Sequence, residues 1–353
     1  MPTLAPATPG DDNMPDLAAK LRFLRTCAGE PVQTIETHMS WLVLGPERVL
    51  KLKKPVRYPF LDFSTLALRE VNTREELRLN RRLAPRVYLG LLALQWDGHD
   101  FSLVPEERLP APGRTVDWLV LMQRLPDDRL LDHLLVSGQA GLADIDALVG
   151  VLVPFYRDAP RTAITAEEHL SRLRRERAID CELLLNPRFE LPGAAATLAR
   201  MDTALAEHEA KIADRVRAHC LLEGHGDLRP EHVCLLDPPV VIDCLEFNAA
   251  LRQVDPFEEL IFLGLECEML GAPWVAARLV ERYSEASGER PPATVLQLYL
   301  AQKALRRARL ALAHLLEPVP RKAEKWLPLA QRYVARIATA LDAVSAARRN
   351  GFS

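Results

Sequence analysis

His225, Asp227 and Asp243 are the residues of this 353-residue chain whose types and spacing point most directly to chemistry. They lie in the stretch His225-Gly226-Asp227-Leu228-Arg229-Pro230-Glu231-His232, followed by the apolar run Val233 to Leu236, the turn Asp237-Pro238-Pro239 and the run Val240-Val241-Ile242-Asp243. Two short apolar, β-branched runs about a Pro-Pro turn predict a hairpin, and folding it about Pro238 sets His232 beside Asp243. Moving a phosphoryl group from a nucleotide needs one carboxylate to orient the attacking hydroxyl. A second acidic group must hold the metal that neutralises the phosphate oxygens. Asp227 suits the first role and Asp243 the second. His225 is placed to brace the turn by hydrogen bonding, and Arg229, in the same loop, is grouped with them as a catalytic residue. Each residue alone also fits a turn cap or a strand end; the ordered set carries the reading.

The pattern H-G-D-L-x-P-x-[N or H], then a strand, then I-D, resembles the catalytic and metal-binding segments of the aminoglycoside phosphotransferase-like kinases. These are the small-molecule branch of the protein-kinase-like fold. With I-D-C-L-E-F-N beside H-G-D-L-R-P-E-H, the chain resembles in particular an uncharacterised bacterial subgroup. The resemblance implies that Asp227 is the catalytic base, that Asp243 binds magnesium and that ATP is the phosphoryl donor. It also exposes a departure: His232 stands where the family has a metal-binding Asn. Imidazole is a poorer ligand for a hard, oxygen-seeking cation, so Glu231, a water or manganese in place of magnesium stands as the alternative second contact.

The elements that position these groups begin with a helix over Leu17 to Cys27. A hairpin follows: strand Trp41 to Leu44, turn Gly45-Pro46-Glu47 and strand Arg48 to Lys54. Val49, Lys51 and Lys53 share one face of the second strand. By resemblance to the V-x-K of kinase-like folds, Lys51 is the first choice to meet nucleotide phosphates, with Lys53 the alternative; both also fit edge protection. A helix from Ser64 to Leu83 puts Leu66, Val71, Leu77, Leu79 and Leu83 on apolar positions and Arg69, Arg74, Arg78 and Arg82 on wetter faces. The resemblance calls for a glutamate on it to fix the strand lysine, which points to Glu76, with Glu75 next. Strands over Val87 to Gln95, Phe101 to Val104 and Trp118 to Arg124 complete a small antiparallel sheet. Leu119 to Pro126 then reads as an edge strand and hinge where adenine meets exposed backbone, with Met122 at the back and Gln123 and Leu125 beside it. Triphosphate contacts are expected from the Thr37-His38-Met39-Ser40 turn, through backbone N–H groups and the Ser40 hydroxyl. G-x-x-x-x-G-K-[ST] and G-x-G-x-x-G do not occur, so neither a P-loop nor a Rossmann site is claimed.

From Leu130 helical periodicity dominates: Leu130 to Val136, Leu142 to Tyr156, Ala166 to Leu185, Ala194 to Leu222, Phe257 to Leu270, Pro292 to Leu316 and Pro320 to Arg349. Leu298, Ala301, Leu305, Ala308 and Leu312 form one face. Lys303, Arg306, Arg307 and Arg309 fit a solvated side or an anion-binding one. Glu259, Glu266 and Glu268 fit a wet helix side or attraction of a polycationic acceptor. Asp255 fits an N-cap, and it resembles the aspartate that braces the catalytic loop in related kinases. About a dozen residues separate Asp243 from the next helix, too few for a long activation segment, which favours a small-molecule acceptor over a protein.

The net charge of -3 and a pI near 6.3 argue against a general nucleic-acid binder, which normally carries a basic excess. Cys27, Cys181, Cys220, Cys234, Cys244 and Cys267 show no C-x-x-C pair, so no zinc site or disulfide framework is expected. A signal peptide and a membrane span are likewise unexpected, and a cytoplasmic location fits. These readings give an α+β, two-lobed protein-kinase-like fold: a disordered tail over 1–16, an N-terminal nucleotide-binding lobe over 17–125 and a helical C-terminal lobe over 126–353. The expected activity is ATP-dependent phosphorylation of a small-molecule hydroxyl. The alternative is a pseudokinase that senses nucleotide without turnover. The oligomeric state is not legible.

Overall fold

In the computed structural model the described residues are 3–4, 15–58, 60–318, 320 and 322–349. The tail expected over 1–16 lies outside them except for Thr3–Leu4, whose backbone pairs antiparallel with Val56 and Arg57, and for the last two residues. Asp16 caps the first helix, accepting from the Ala19 N–H at 2.7 Å. The chain forms two compact units, residues 1–133 with 231–251 and residues 134–230 with 252–353. The segment carrying His232, Asp243 and Glu246 therefore belongs with the N-terminal sheet. Among the described residues no helix is long and apolar enough to cross a membrane.

In the first unit six strands make one antiparallel sheet, in the spatial order Gln33–Glu36, Ser40–Leu44, Arg48–Lys53, Arg114–Gln123, Tyr88–Trp96, Phe101–Pro105. The expected hairpin is present, with Leu42 opposite Lys51 and Ser40 opposite Lys53. Arg114–Gln123 is a correction: it was expected at an edge and lies inside, bonded on both sides. Its run Leu119 to Met122 is buried or nearly so at every position, as an interior strand requires. Leu24 of the Leu17–Ala28 helix packs on one face of the sheet with Val43, Leu50, Leu52, Leu94 and Leu119. On the other face Val49, Tyr88, Leu91, Val120 and Met122 gather around Leu77.

Leu77 comes from the helix Leu66–Asn80, whose N-cap is Thr65. Its inner face departs from the expected pattern. Val71 is 63% exposed, whereas Arg69, Thr73, Glu76 and Asn80 are buried. The cause is the charge carried by the sheet beneath. Asp117, itself buried, takes Arg69 Nε at 2.7 Å and Lys20 Nζ at 2.7 Å, so it ties both helices to the strand. Buried charges persist where they are paired, and here pairing overrides apolar periodicity.

The second unit is mainly helical: Leu142–Asp158, Ala166–Leu184, Ala194–Arg217, Pro256–Met269, Trp274–Ser287, Ala293–His314 and Ala323–Arg349. The expected Leu298, Ala301, Leu305, Ala308 and Leu312 face is at most 1% exposed. Trp274–Ser287 lies outside the sequence expectations, although Val275, Leu279 and Tyr283 recur at helical spacing and are buried. The helix expected to reach Leu222 stops at Arg217, because His219 turns left-handed at φ 55°. Leu222–Glu223 then pairs antiparallel with Gln253–Val254. That ladder delivers the chain into the His225 loop.

Candidate active site

The Arg48–Lys53 strand presents Lys51 and Lys53 two residues apart on one face, and Glu76 on the helix lies above them. Lys51 Nζ is 2.7 Å from Glu76 Oε1, and Lys53 Nζ is 2.7 Å from Glu76 Oε2. The alternatives for the strand lysine are thus both inward and share one carboxylate. Glu76 is fully buried, whereas Glu75 makes a partly exposed pair with Arg78. Breaking a buried pair costs about 3–5 kcal/mol and a surface pair about 0–1 kcal/mol, so Glu76 is the structural partner.

Lys51 also reaches Asp243 Oδ1 at 2.8 Å, and Lys53 makes a short contact with Glu246. Burial alone would lower the Lys51 ammonium, but Asp243, Glu76 and Glu246 outweigh it and hold the group well above its ordinary value. Burial pushes the Glu76 carboxyl up, and Lys51 and Lys53 reverse this, leaving it below the usual range. Glu246 stays raised, because desolvation exceeds what Lys53 returns.

The hairpin places Asp243. Val233 pairs with Val241 and Cys234 with Val240, and the Ile242 N–H donates to the His232 carbonyl at 2.9 Å. His232 Nε2 lies 3.6 Å from Asp243 Oδ2, as folding about Pro238 predicts. Asp243 has φ 61°, a left-handed conformation that an L residue holds only when its surroundings enforce it. Tyr88 and Asn80 supply that enforcement: the Tyr88 hydroxyl accepts from the Asp243 N–H at 3.1 Å, and Asn80 Oδ1 accepts from the Cys244 N–H at 2.8 Å. The Asp243 carboxylate is 46% exposed, so its oxygens suit a divalent cation. His232 offers nitrogen, which fits manganese better than magnesium.

Met122 and Leu125, expected beside adenine, both belong to one apolar cluster on the sheet. Met122 is in the buried cluster with Val49, and Leu125, Leu42, Leu44, Val240 and Ile242 pack on it partly exposed. The hinge is less open than expected. Gln123 donates its N–H to Val87 O and accepts from Arg48 at its side chain, and the Arg124 N–H goes to Glu47 O. Ser40 is 3% exposed, and the Met39 and Ser40 N–H groups both bond Thr37 Oγ1. Those two donors are taken within the turn that was expected to cradle a triphosphate.

In the second unit the loop carries His225, Asp227 and Arg229 together. Fully buried His225 accepts the Asp227 N–H on Nδ1 at 3.3 Å, and Arg229 Nε donates to Asp227 Oδ2 at 3.1 Å. Gly226 turns at φ 87°, which favours glycine. The residue that braces this loop is Glu259. Its carboxylate accepts from the His225 N–H at 3.1 Å, from the Gly226 N–H, and from the Tyr156 hydroxyl at 3.0 Å. Asp255, expected as the possible brace, is the N-cap, bonded to the Phe257 N–H, to Arg215 and to Tyr299.

Glu259 is therefore neither a wet side chain nor a lure for a polycation. The same correction holds for buried Glu266, which pairs with Arg307 and Tyr333, whereas Glu268 stays partly exposed on the helix and pairs with Arg336. The basic cluster is half-buried and paired, with Lys303 on Glu258 and with Arg306 and Arg309 on Asp180.

No protein-family model matches the chain. In sequence it is similar to uncharacterized proteins of Mycobacterium tuberculosis and Mycobacterium bovis, each 30% identical over 295 residues that cover 80% of this chain and 56% of the relative. The chain thus spans just over half the length of the curated relatives it matches. In structure it is similar to a choline/ethanolamine kinase family protein from Mesorhizobium loti, with TM-score 0.54, 15% identity and coverage of 92% of this chain and 96% of that one. A choline kinase from Cryptosporidium parvum gives TM-score 0.54 at 10% identity, over 96% and 98% of the two chains. A thermostable mutant of aminoglycoside phosphotransferase APH(4)-Ia gives 0.50 at 11% identity, over 92% and 98%. The chain has the α+β protein-kinase-like fold in its aminoglycoside phosphotransferase-like form.

Proposed function

We propose that this protein is an ATP-dependent phosphotransferase that acts on a hydroxyl of a small molecule. The observation that carries the reading is Lys51, a buried strand lysine held at once by Glu76 and by Asp243. A cation fixed between two carboxylates is preorganised for phosphate oxygens, because its position is set before the ligand arrives. The fold, and the names of the solved structures that share it, support phosphoryl transfer.

In this reading Asp243 holds magnesium, with His232 a nitrogen contact that manganese would use better, and the cation supplies charge neutralisation to the phosphates. The apolar patch of Leu42, Leu44, Met122, Leu125 and Ile242 takes the nucleobase. Asp227 orients the acceptor hydroxyl and receives its proton, while Glu259 and His225 keep its loop rigid. The short run after Asp243 suits a small acceptor.

A second reading, a nucleotide sensor without turnover, draws on His232 in the place of a metal-binding Asn. An ATP-consumption assay across sugars, amino alcohols and aminoglycosides, with magnesium and with manganese, separates the two. Turnover with at least one acceptor class, lost in Asp227→Asn, supports the phosphotransferase. Nucleotide binding with no consumption anywhere on the panel, unchanged in Asp227→Asn, supports the sensor.

A further inference from the structure

Strand geometry creates a charge problem at this site. Alternate residues of a strand lie about 7 Å apart on one face, so Lys51 and Lys53 project together toward the same helix. Glu76 gives one oxygen to each, but a single carboxylate cannot neutralise two ammonium groups. Further acidic groups complete the set: Asp243 on Lys51, and Glu246 on Lys53. The result is a chain of alternating charges, Asp243–Lys51–Glu76–Lys53–Glu246. Lys53 is 2% exposed and the Glu246 side chain 9% exposed, so this end is far more closed than the Asp243 carboxylate at 46%.

We infer that Lys53 and Glu246 are positioning residues for nucleotide binding, acting through Glu76 on Lys51, and that they form a second ion pair behind the one that meets the phosphates. The inference rests on the phosphotransferase reading of the site. Neither residue needs to touch the nucleotide. With Lys53 held by Glu246, Glu76 divides its two oxygens between the lysines, and Lys51 stands between Glu76 and Asp243. If the Glu246 charge is removed, Lys53 draws on Glu76 alone and Lys51 loses part of its partner. Removing Lys53 gives both oxygens of Glu76 to Lys51 and leaves a buried carboxylate at Glu246. In either case Lys51 is displaced from the arrangement in which it is shared by Glu76 and Asp243.

The test is titration calorimetry of ADP and of a non-hydrolysable ATP analogue, with magnesium, on the wild type, Glu246→Gln, Lys53→Met, Lys53→Arg and the double variant Lys53→Met/Glu246→Gln. Melting curves on the same samples confirm folding. Residues in one ion-pair network are coupled, so each of Glu246→Gln and Lys53→Met weakens nucleotide binding by about tenfold or more. Lys53→Arg stays within about threefold, and the double variant is no worse than Lys53→Met. A merely structural pair would lower the melting temperature and leave affinity unmoved. Folded Glu246→Gln that binds both nucleotides within about threefold of wild type overturns the inference while leaving the phosphotransferase reading intact. If Lys53→Met does not fold, Glu246→Gln and Lys53→Arg decide the matter. A wild-type protein that binds neither nucleotide overturns both readings.

Discussion

Gly224→Ala is the sharpest probe of how the His225 loop is held. A Cβ built on Gly224 would lie 2.5 Å from Val254 Cγ2, 2.7 Å from Glu259 Oε2 and 2.8 Å from Glu259 Cδ. A carboxylate at the end of a side chain ordinarily yields at little cost. This one accepts from two backbone N–H groups and a tyrosine hydroxyl, and Val254 is 4% exposed within the ladder that frames the loop. Overpacking costs about 1–3 kcal/mol. Displacing a hydrogen bond to a charged group adds about 1.5–3 kcal/mol. Together they give an expected destabilisation of about 2.5–6 kcal/mol. Guanidinium unfolding at constant m reads this as a lower midpoint. In a double-mutant cycle with Glu259→Ser, which removes one clashing partner, the pair should cost less than the sum of the single changes by at least about 0.5 kcal/mol. A Gly224→Ala protein within about 0.5 kcal/mol of wild type would refute the claim that the Glu259 carboxylate is pinned against the loop backbone.

Glu76→Ala should destabilise by about 3–5 kcal/mol and Glu75→Ala by about 0–1 kcal/mol, measured by denaturant unfolding; equal effects would remove the distinction between buried and surface partners. Tyr88→Phe leaves the Asp243 N–H without its acceptor, at about 1–2 kcal/mol, and should weaken magnesium-dependent nucleotide binding in calorimetry. Lys303→Met tests a pH dependence. Burial pushes the Glu258 carboxyl up, but Lys303 at 2.7 Å more than offsets this and holds it below the usual range. A depressed folded value means that the pair's stabilisation is present above the unfolded carboxylate range and fades as pH falls through the folded value. The deficit of Lys303→Met, about 1–3 kcal/mol at neutral pH, should therefore shrink in melts taken below about pH 4.

Much of the first unit was legible because its chemistry lies in local spacing. Two runs about Pro238 imply that His232 and Asp243 meet, and the hairpin around Pro46 places Lys51 and Lys53 on one inward face. What escaped was pairing between residues far apart in sequence. Lys51 and Lys53 read as alternatives because their second partners, Asp243 and Glu246, are nearly two hundred residues away. Arg69 read as wet because its partner, Asp117, lies on a strand that also looked peripheral. Glu259 was hidden for another reason: backbone N–H groups balance its charge, and no residue type advertises them. Its one local trace is Gly224, where a side chain would collide with the carboxylate. The apolar run Leu119 to Met122 carries the signal of an interior strand, which placement at an edge leaves unexplained.

In the proposed phosphotransferase, Asp243 couples a divalent cation to the nucleotide that Lys51 receives. Calorimetric titration of ADP into wild type and Asp243→Ala, each with and without magnesium, tests it most directly. Magnesium should tighten ADP binding to the wild type and have no effect on Asp243→Ala. The same gain from magnesium in both proteins would contradict it.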